Sequence, residues 1–165
     1  MAKWESQDVV TQSVLDRLID REPSVAADPP LTRAQSVRLL KASLMRDLEW
    51  LLNTRRIPHQ ENSSFQELER SVYTYGLPDI TSLGTSSTRD RYRLLRMLEE
   101  TIARFEPRLE RVKVTPVETN LSNTRALRFQ IEGYLKMDPA PEHISFDTVL
   151  QLSSGEYQVK GDQGA

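Results

Sequence analysis

Carboxylates are the side chains of this sequence that could carry acid–base chemistry, because the other usual catalytic groups are scarce. The 165 residues include no cysteine, which excludes a thiolate nucleophile, and six glycines that never cluster into a phosphate-binding loop. The two histidines, His59 and His143, lie far apart and each sits beside a proline-bearing loop, so we expect them at the surface. The sequence contains no HExxH zinc motif.

Glu106 is the best single candidate for a functional acid, because it lies where a predicted helix ends. A glycosidase needs two carboxyl groups about 5–9.5 Å apart, one of them with a raised pKa. The nearest alternatives, Glu99 and Glu100, lie one to two turns back along the same helix. We therefore predict no catalytic residue and no cofactor or metal ligand. Spacing leaves two interpretations of Glu106, Pro107 and Arg108 open: a helix end with an exposed salt bridge, or a specific contact site.

The helix that leads to Glu106 is predicted from its apolar periodicity. Ser87 or Thr88 can cap its start, and Pro107 ends it because a proline forces the preceding residue out of the α-helical region. Its apolar residues recur every three or four positions: Tyr92, Leu95, Leu98, Ile102, Phe105 and Leu109. Beyond this helix the apolar period becomes two, so the 105–109 corner should separate helical from strand structure.

Two further helices are predicted before it in the first third of the chain. Residues 10–19 form a short amphipathic helix, which the proline-bearing segment 23–30 ends. Thr32 and Gln35 form a capping box, and the helix they open should reach about Asn53, which can act as a C-cap. The residues it should bury are Val37, Leu40, Leu44, Leu48 and Leu51.

A second capping box, from Ser64 to Glu67, predicts another helix between the helix that ends near Asn53 and the one that leads to Glu106. Its apolar stripe would be Phe65, Leu68, Val72 and Tyr75. The sequence Tyr-Gly-Leu-Pro-Asp at 75–79 should end it, because glycine permits the left-handed turn and proline prevents continuation.

Alternating apolar residues after position 110 predict three or four antiparallel strands with one dry face. They are Val112 and Val114, then Leu127, Phe129 and Ile131, then Ile144, Phe146, Leu150 and Leu152, then Tyr157 and Val159. The order indicates an α+β fold, with N-terminal helices and one long central helix packed on a C-terminal three- to four-stranded antiparallel sheet. We expect a single domain over 1–165, with an N-terminal helix and linker in 1–30 and a frayed tail at 160–165.

The composition favours no nucleic-acid or membrane partner. The net charge of −2 gives no general attraction to nucleic acid or to an anionic membrane. The first residues lack the basic and apolar regions of a secretion signal, and no apolar run approaches the roughly 18 residues needed to span a bilayer. We therefore expect a cytoplasmic protein.

Four segments occur in an order that resembles a known family. They are Ser13–Leu18 (SVLDRL), Arg46–Arg55 (RDLEWLLNTR), Ser71–Asp79 (SVYTYGLPD) and Phe105–Leu109 (FEPRL). Together they resemble the TssE family of type VI secretion baseplate subunits, which is grouped with the wedge protein of contractile-phage baseplates. The resemblance covers nearly the whole chain.

This resemblance implies a structural subunit of the cytoplasmic baseplate, grouped with TssF and TssG into wedges around the spike VgrG, with TssK as a further partner. It also implies a role in starting the contractile sheath of TssB and TssC, because the family's sheet is similar to the sheath's interlocking strands. The family's Glu-Pro-Arg motif, here Glu106, Pro107 and Arg108, is its contact to neighbouring subunits.

Physical arguments fit such a role. An open sheet edge, at 111–117 or 156–160, could recruit a sheath strand by backbone pairing. Arg108 could fork onto a partner carboxylate while Glu106 accepts from a partner donor. Two alternatives stay open: a peptidoglycan hydrolase, after the family's old lysozyme-like label, and an anti-adaptor regulator of the same fold. The missing second carboxylate and the missing export signal argue against the hydrolase.

Overall fold

Helices precede a four-stranded antiparallel sheet, and this segregation of helices from strands is typical of an α+β fold. The computed structural model describes residues 9–20, 23–24, 30–58, 65–79, 87–117 and 126–161. The helices are α1 (Val14–Leu18), α2 (Arg33–Asn53) and α3 (Thr88–Phe105), with 3-10 turns at Gln66–Arg70 and Val72–Thr74. The strands are β1 (Leu109–Pro116), β2 (Ala126–Leu135), β3 (Glu142–Gln151) and β4 (Glu156–Gly161). The predicted fold class is confirmed.

The sheet has the order β1-β2-β3-β4, and every neighbouring pair is antiparallel. One face is dry because apolar residues alternate along each strand. The buried residues on this face include Phe129, Ile131, Leu135, Ile144, Phe146, Leu150, Tyr157 and Val159. They form one core cluster with the buried leucines of α2 and with α3. The outer face carries mostly polar and charged side chains.

The second helix is built as its sequence predicts. The Thr32 hydroxyl accepts from the Gln35 backbone N–H, and the Gln35 side chain accepts from the Thr32 backbone N–H, which completes the capping box. Four of the five predicted core residues are buried, whereas Val37 is half-buried. Asn53 is the last helical residue, and Thr54 rather than Asn53 occupies the C-cap position.

The third helix ends at Phe105 with Glu106 as its C-cap, as Pro107 predicts, and it buries part of the predicted stripe. Its buried residues are Leu94, Leu98 and Ile102. Tyr92, which the predicted stripe contained, is 64% exposed. Leu95 and Phe105, which were also predicted, are partly buried against the core, so the prediction errs in including Tyr92 and in omitting Leu94. The long central helix that the sequence predicts is α3, with 18 residues, and the predicted helix before it, α2, has 21.

The helix predicted across 64–75 is wrong. The chain instead makes two short 3-10 turns, separated by Ser71 in an extended conformation. The Thr74 hydroxyl donates to the Glu69 carbonyl, and the Ser71 hydroxyl donates to the Leu68 carbonyl, so side chains compete with the helical ladder. The predicted stripe residue Val72 is 88% exposed. Ser64 of the predicted capping box and His59 lie outside the described residues.

The predicted turn at 75–79 is present and is tied to the end of α2. Gly76 has a φ of 98°, a backbone conformation that residues other than glycine rarely adopt. A Cβ atom there would also lie 2.4 Å from the Thr54 carbonyl oxygen, so both the backbone conformation and the available space require glycine. The Leu77 N–H donates to the Thr54 carbonyl, and the Arg56 N–H donates to the Leu77 carbonyl, each at 2.8 Å. These hydrogen bonds hold Tyr75 beside the end of α3. Its ring packs edge-on against the Phe105 ring, with 5.3 Å between the two ring centres.

Candidate functional site

The corner that joins α3 to β1 holds Glu106 inside the protein. The Glu106 N–H makes the last helical hydrogen bond, to the Ile102 carbonyl at 2.8 Å, and the Leu109 N–H then donates to the Glu106 carbonyl at 3.1 Å. Glu106 is 5% exposed, whereas Pro107 lies on the surface. The interpretation of this motif as an exposed salt bridge therefore does not describe the structure.

Arg108 pairs with carboxylates of its own chain. Its Nε donates to Glu106 Oε1 and its Nη2 to Glu106 Oε2, both at 2.6 Å. The same Nη2 donates to Asp47 Oδ2 at 2.6 Å, and Nη1 lies 3.4 Å from the Ser43 hydroxyl. These charge-assisted bonds, led by the one to Glu106, raise the pKa of Arg108 above its usual value.

The pairing continues from Asp47 to α1. Arg46 donates to Asp47 Oδ1 through Nε at 2.9 Å and Nη2 at 2.7 Å, and to Asp16 Oδ1 through Nη1 at 2.8 Å. The result is an ion-pair chain in the order Asp16, Arg46, Asp47, Arg108, Glu106. Three carboxylates face two guanidiniums, so the ion-pair chain carries a net charge of −1.

Asp16 is the anchor of the N-terminal segment in this arrangement. Burial pushes the pKa of Asp16 up, but hydrogen bonds from Ser13 and Arg46 outweigh it, and the pKa falls below its ordinary value. No residue of α1 is fully buried, so its side chains contact the protein from the surface. A second hydrogen bond holds the N-terminal segment, because the Val10 N–H donates to the Ser36 hydroxyl at 3.2 Å.

An open cleft of about 400 Å³ lies against the ion-pair chain. Its apolar wall is formed by Leu15, Trp50, Leu51, Tyr75, Phe105 and Pro107. Trp50 is 54% exposed, and the Arg46 guanidinium lies 5.0 Å from the centre of its ring. Burial, followed by the charges of Asp47 and Glu106, raises the pKa of Tyr75. The cleft combines exposed aromatic surface with fixed charges, which is the composition of a protein-binding site.

The structure brings the three predicted site residues together and adds partners that the sequence analysis missed. Glu106, Pro107 and Arg108 all line the cleft, whereas Glu99 and Glu100 do not. The missed residues are Asp16, Arg46 and Asp47. A signal for them was present, because all three fall within the first two of the four resemblance segments.

Asp47 is the second carboxylate that the sequence did not place beside Glu106. The two share one Arg108 nitrogen, each at 2.6 Å, so both carboxylates are engaged with the same guanidinium. An acid that delivers a proton to a leaving group must face the substrate and keep that proton near neutral pH. This pair is arranged to hold Arg108 instead, and the geometry gives no support to glycoside hydrolysis.

Within the segments that the structure describes, no group of three or more His, Asp or Glu side chains could hold a metal ion. Among the helices of the described residues, none is long and apolar enough to cross a membrane.

The chain matches a family model and is similar to a chain of known structure. Residues 38–140 match the family model described as baseplate wedge protein gp25. Among curated proteins, no sequence matches the chain significantly. A chain from the structure titled "The baseplate complex from the type VI secretion system" is similar at 21% identity and a TM-score of 0.47. That similarity covers 69% of this chain and 96% of the other.

Proposed function

The chain belongs to the gp25 family of baseplate wedge proteins, and from this premise we propose that it is a non-enzymatic structural subunit of a type VI secretion baseplate. The observation that carries the proposal is the family match over residues 38–140, which includes Arg46, Asp47, Glu106 and Arg108. The four resemblance segments favour the secretion baseplate over a phage tail. The subunit would act in the cytoplasm and join TssF and TssG in the wedge, near TssK and the spike VgrG.

We propose that Glu106, Pro107 and Arg108 contribute to the wedge contact in different ways. Pro107 is exposed and can touch a partner directly, in the cleft that Trp50 also lines. Arg108 is partly exposed, and its Nη1, which has a long contact to Ser43, keeps donor capacity for a partner carbonyl or carboxylate. Glu106 is buried and acts by holding the Arg108 guanidinium in position.

We further propose that the subunit helps to start the sheath of TssB and TssC by strand pairing. The sheet has two outer strands, β1 and β4, and an outer strand can recruit an extended segment through its backbone groups. The segments 111–117 and 156–160 are the candidates that the sequence offers. No enzymatic step is needed in this role, because assembly depends on contacts alone.

Co-purification with TssF and TssG tests the wedge role. The wild-type chain is compared with Glu106→Ala/Arg108→Ala and with a control pair, Arg96→Ala/Glu100→Ala, which removes an exposed ion pair on α3. We expect wild type and control to enter the complex, and the first double variant to remain folded but unbound. Entry of both double variants would retain the role but remove the motif from the contact. Failure of the wild-type chain to bind would refute the proposed role.

A further inference from the structure

The free edge of β4 is covered by side chains of α2. The Asn53 amide pairs with the backbone of Tyr157: Nδ2 donates to its carbonyl and Oδ1 accepts from its N–H, both at 2.8 Å. One helical turn earlier, Glu49 Oε2 accepts from the Val159 N–H at 3.4 Å. Asn53 thus takes the place that a residue of a neighbouring strand would occupy.

Side chains of α2 follow β4 along its length, because four residues of the helix and two residues of the strand advance by similar distances. Met45 Sδ lies 3.8 Å from the position that a Cβ atom on Gly161 would occupy. The α2 positions 45, 49 and 53 are four apart, and their β4 partners are two apart. Four helical residues advance about 6.0 Å and two strand residues about 6.6 Å, so helix and strand stay in register. An incoming strand would have to displace α2, whose leucines form the core.

On the free edge of β1, the described residues show one side-chain hydrogen bond. The Val114 N–H points away from β2 and donates to Glu99 Oε1 at 2.8 Å. Glu99 is half-exposed, so its carboxylate can turn into water without leaving a buried charge. The pairing register of β1 with β2 shifts between Glu110 and Lys113, and Pro116 has no backbone N–H. Pairing of β1 with an incoming strand would therefore be confined to the short segment around Val114.

We propose that β1, not β4, is the edge that receives a strand from the sheath, and that Glu99 occupies the Val114 N–H until that strand arrives. The inference rests on the proposed function, because it names the edge for the strand pairing proposed above. The incoming segment is extended and supplies a backbone carbonyl that replaces the Glu99 carboxylate. Arg111 and Lys113 are exposed, which favours an acidic residue in that segment.

Hydrogen exchange on the wild-type chain tests the choice of edge. The full-length chain in complex with TssF and TssG is measured with and without the TssB–TssC sheath complex. We expect amides of 112–117 to exchange at least about tenfold more slowly with sheath, while amides of 156–161 are unchanged. Slowing at 156–161 instead would overturn the choice of edge and leave strand pairing standing, whereas sheath binding with no change at either edge would overturn strand pairing as well. Absence of sheath binding would overturn both.

A matched pair of proline variants gives a second test. Val114 and Val159 are each 5% exposed, and each donates its N–H to a helix carboxylate, so Val114→Pro and Val159→Pro remove equivalent features. We expect Val114→Pro to weaken sheath binding about tenfold and Val159→Pro to leave it within about twofold. Equal binding by Val114→Pro and wild type would overturn the proposal. If either variant unfolds by circular dichroism, the exchange measurement on the wild-type chain decides.

Discussion

Arg108 and Glu106 are joined by two parallel hydrogen bonds, Nε to Oε1 and Nη2 to Oε2, each 2.6 Å long. The sequence led us to expect this fork on a partner's carboxylate, yet it is formed within the chain, across a single proline. The Arg108–Glu106 ion pair is therefore already formed in the free chain, before any partner binds. A partner would meet a surface whose charges are already fixed, which lowers the entropy lost on association.

Arg108→Lys should be poorly tolerated although the charge is kept. A lysine ammonium lacks the planar set of donors with which Arg108 binds both Glu106 oxygens and Asp47. We therefore expect the free energy of unfolding to fall by about 1–3 kcal/mol. Wedge assembly should weaken as well. Urea denaturation measures the first effect and co-purification the second. Arg96→Lys, at an exposed pair, is the control and should change stability by less than about 0.5 kcal/mol. Wild-type stability and assembly of Arg108→Lys would refute the role of the fork.

Docking of α1 should weaken in acid. Hydrogen bonds from Ser13 and Arg46 lower the pKa of Asp16 below its ordinary 3.8, so the stabilisation is complete above that pH and is lost as the pH falls through the lowered pKa. Carbon-13 NMR titration of the Asp16 carboxyl should give a midpoint below 3.8. Ser13→Ala should move this midpoint upward. A wild-type midpoint at or above 3.8 would show that Asp16 is not held as described.

Gly76→Ala should destabilise the chain strongly. The residue has a φ of 98°, and a Cβ atom would come within 2.4 Å of the Thr54 carbonyl oxygen. We expect a loss of at least about 2 kcal/mol, measured by thermal unfolding. Gly161→Ala is the matched control, because its Cβ atom would make an ordinary 3.8 Å contact with Met45, and its stability should stay near that of the wild type. Equal stability of the two variants would contradict the anchoring of this turn.

Asn53→Ala should loosen the edge of β4. The variant loses two hydrogen bonds to Tyr157, so we expect the free energy of unfolding to fall by about 1–2 kcal/mol. Exchange of the Tyr157 amide should become faster, as read by NMR. Arg38→Ala, at an exposed position of the same helix, is the control and should affect neither. Unchanged exchange at Tyr157 in Asn53→Ala would mean that the amide does not cover this edge.

The sequence predicted the parts of the fold that one strong local signal determines. The capping box at Thr32, the glycine turn at Gly76 and the alternation along the strands each specify the backbone locally. The 3-10 turns at 66–74 were misjudged, because an apolar spacing of three or four residues does not reveal hydroxyls that bond to nearby carbonyls. On α3, the predicted stripe contained Tyr92 and omitted the buried Leu94, because both positions fit the same apolar periodicity.

Sequence reasoning located only part of the site, because some of its contacts join residues that are far apart in the chain. Glu106, Pro107 and Arg108 stand together in the sequence, and the resemblance assigned them the contact. Asp47 lies 61 positions from Arg108 and meets it only because α2 and the corner after α3 pack on the same core. Family membership is confirmed by the match over residues 38–140, whereas the partner contact of the motif stays a prediction.

Hydroxyl-radical footprinting tests most directly whether the cleft is the wedge contact. It needs no substitution, and aromatic side chains report on it: Trp50 lines the cleft and is 54% exposed, while Tyr134 is 39% exposed on the outer sheet face. Between the free chain and its complex with TssF and TssG, we expect oxidation of Trp50 to fall severalfold and that of Tyr134 to stay constant. A complex that forms while Trp50 keeps its full reactivity would contradict the assignment of the cleft.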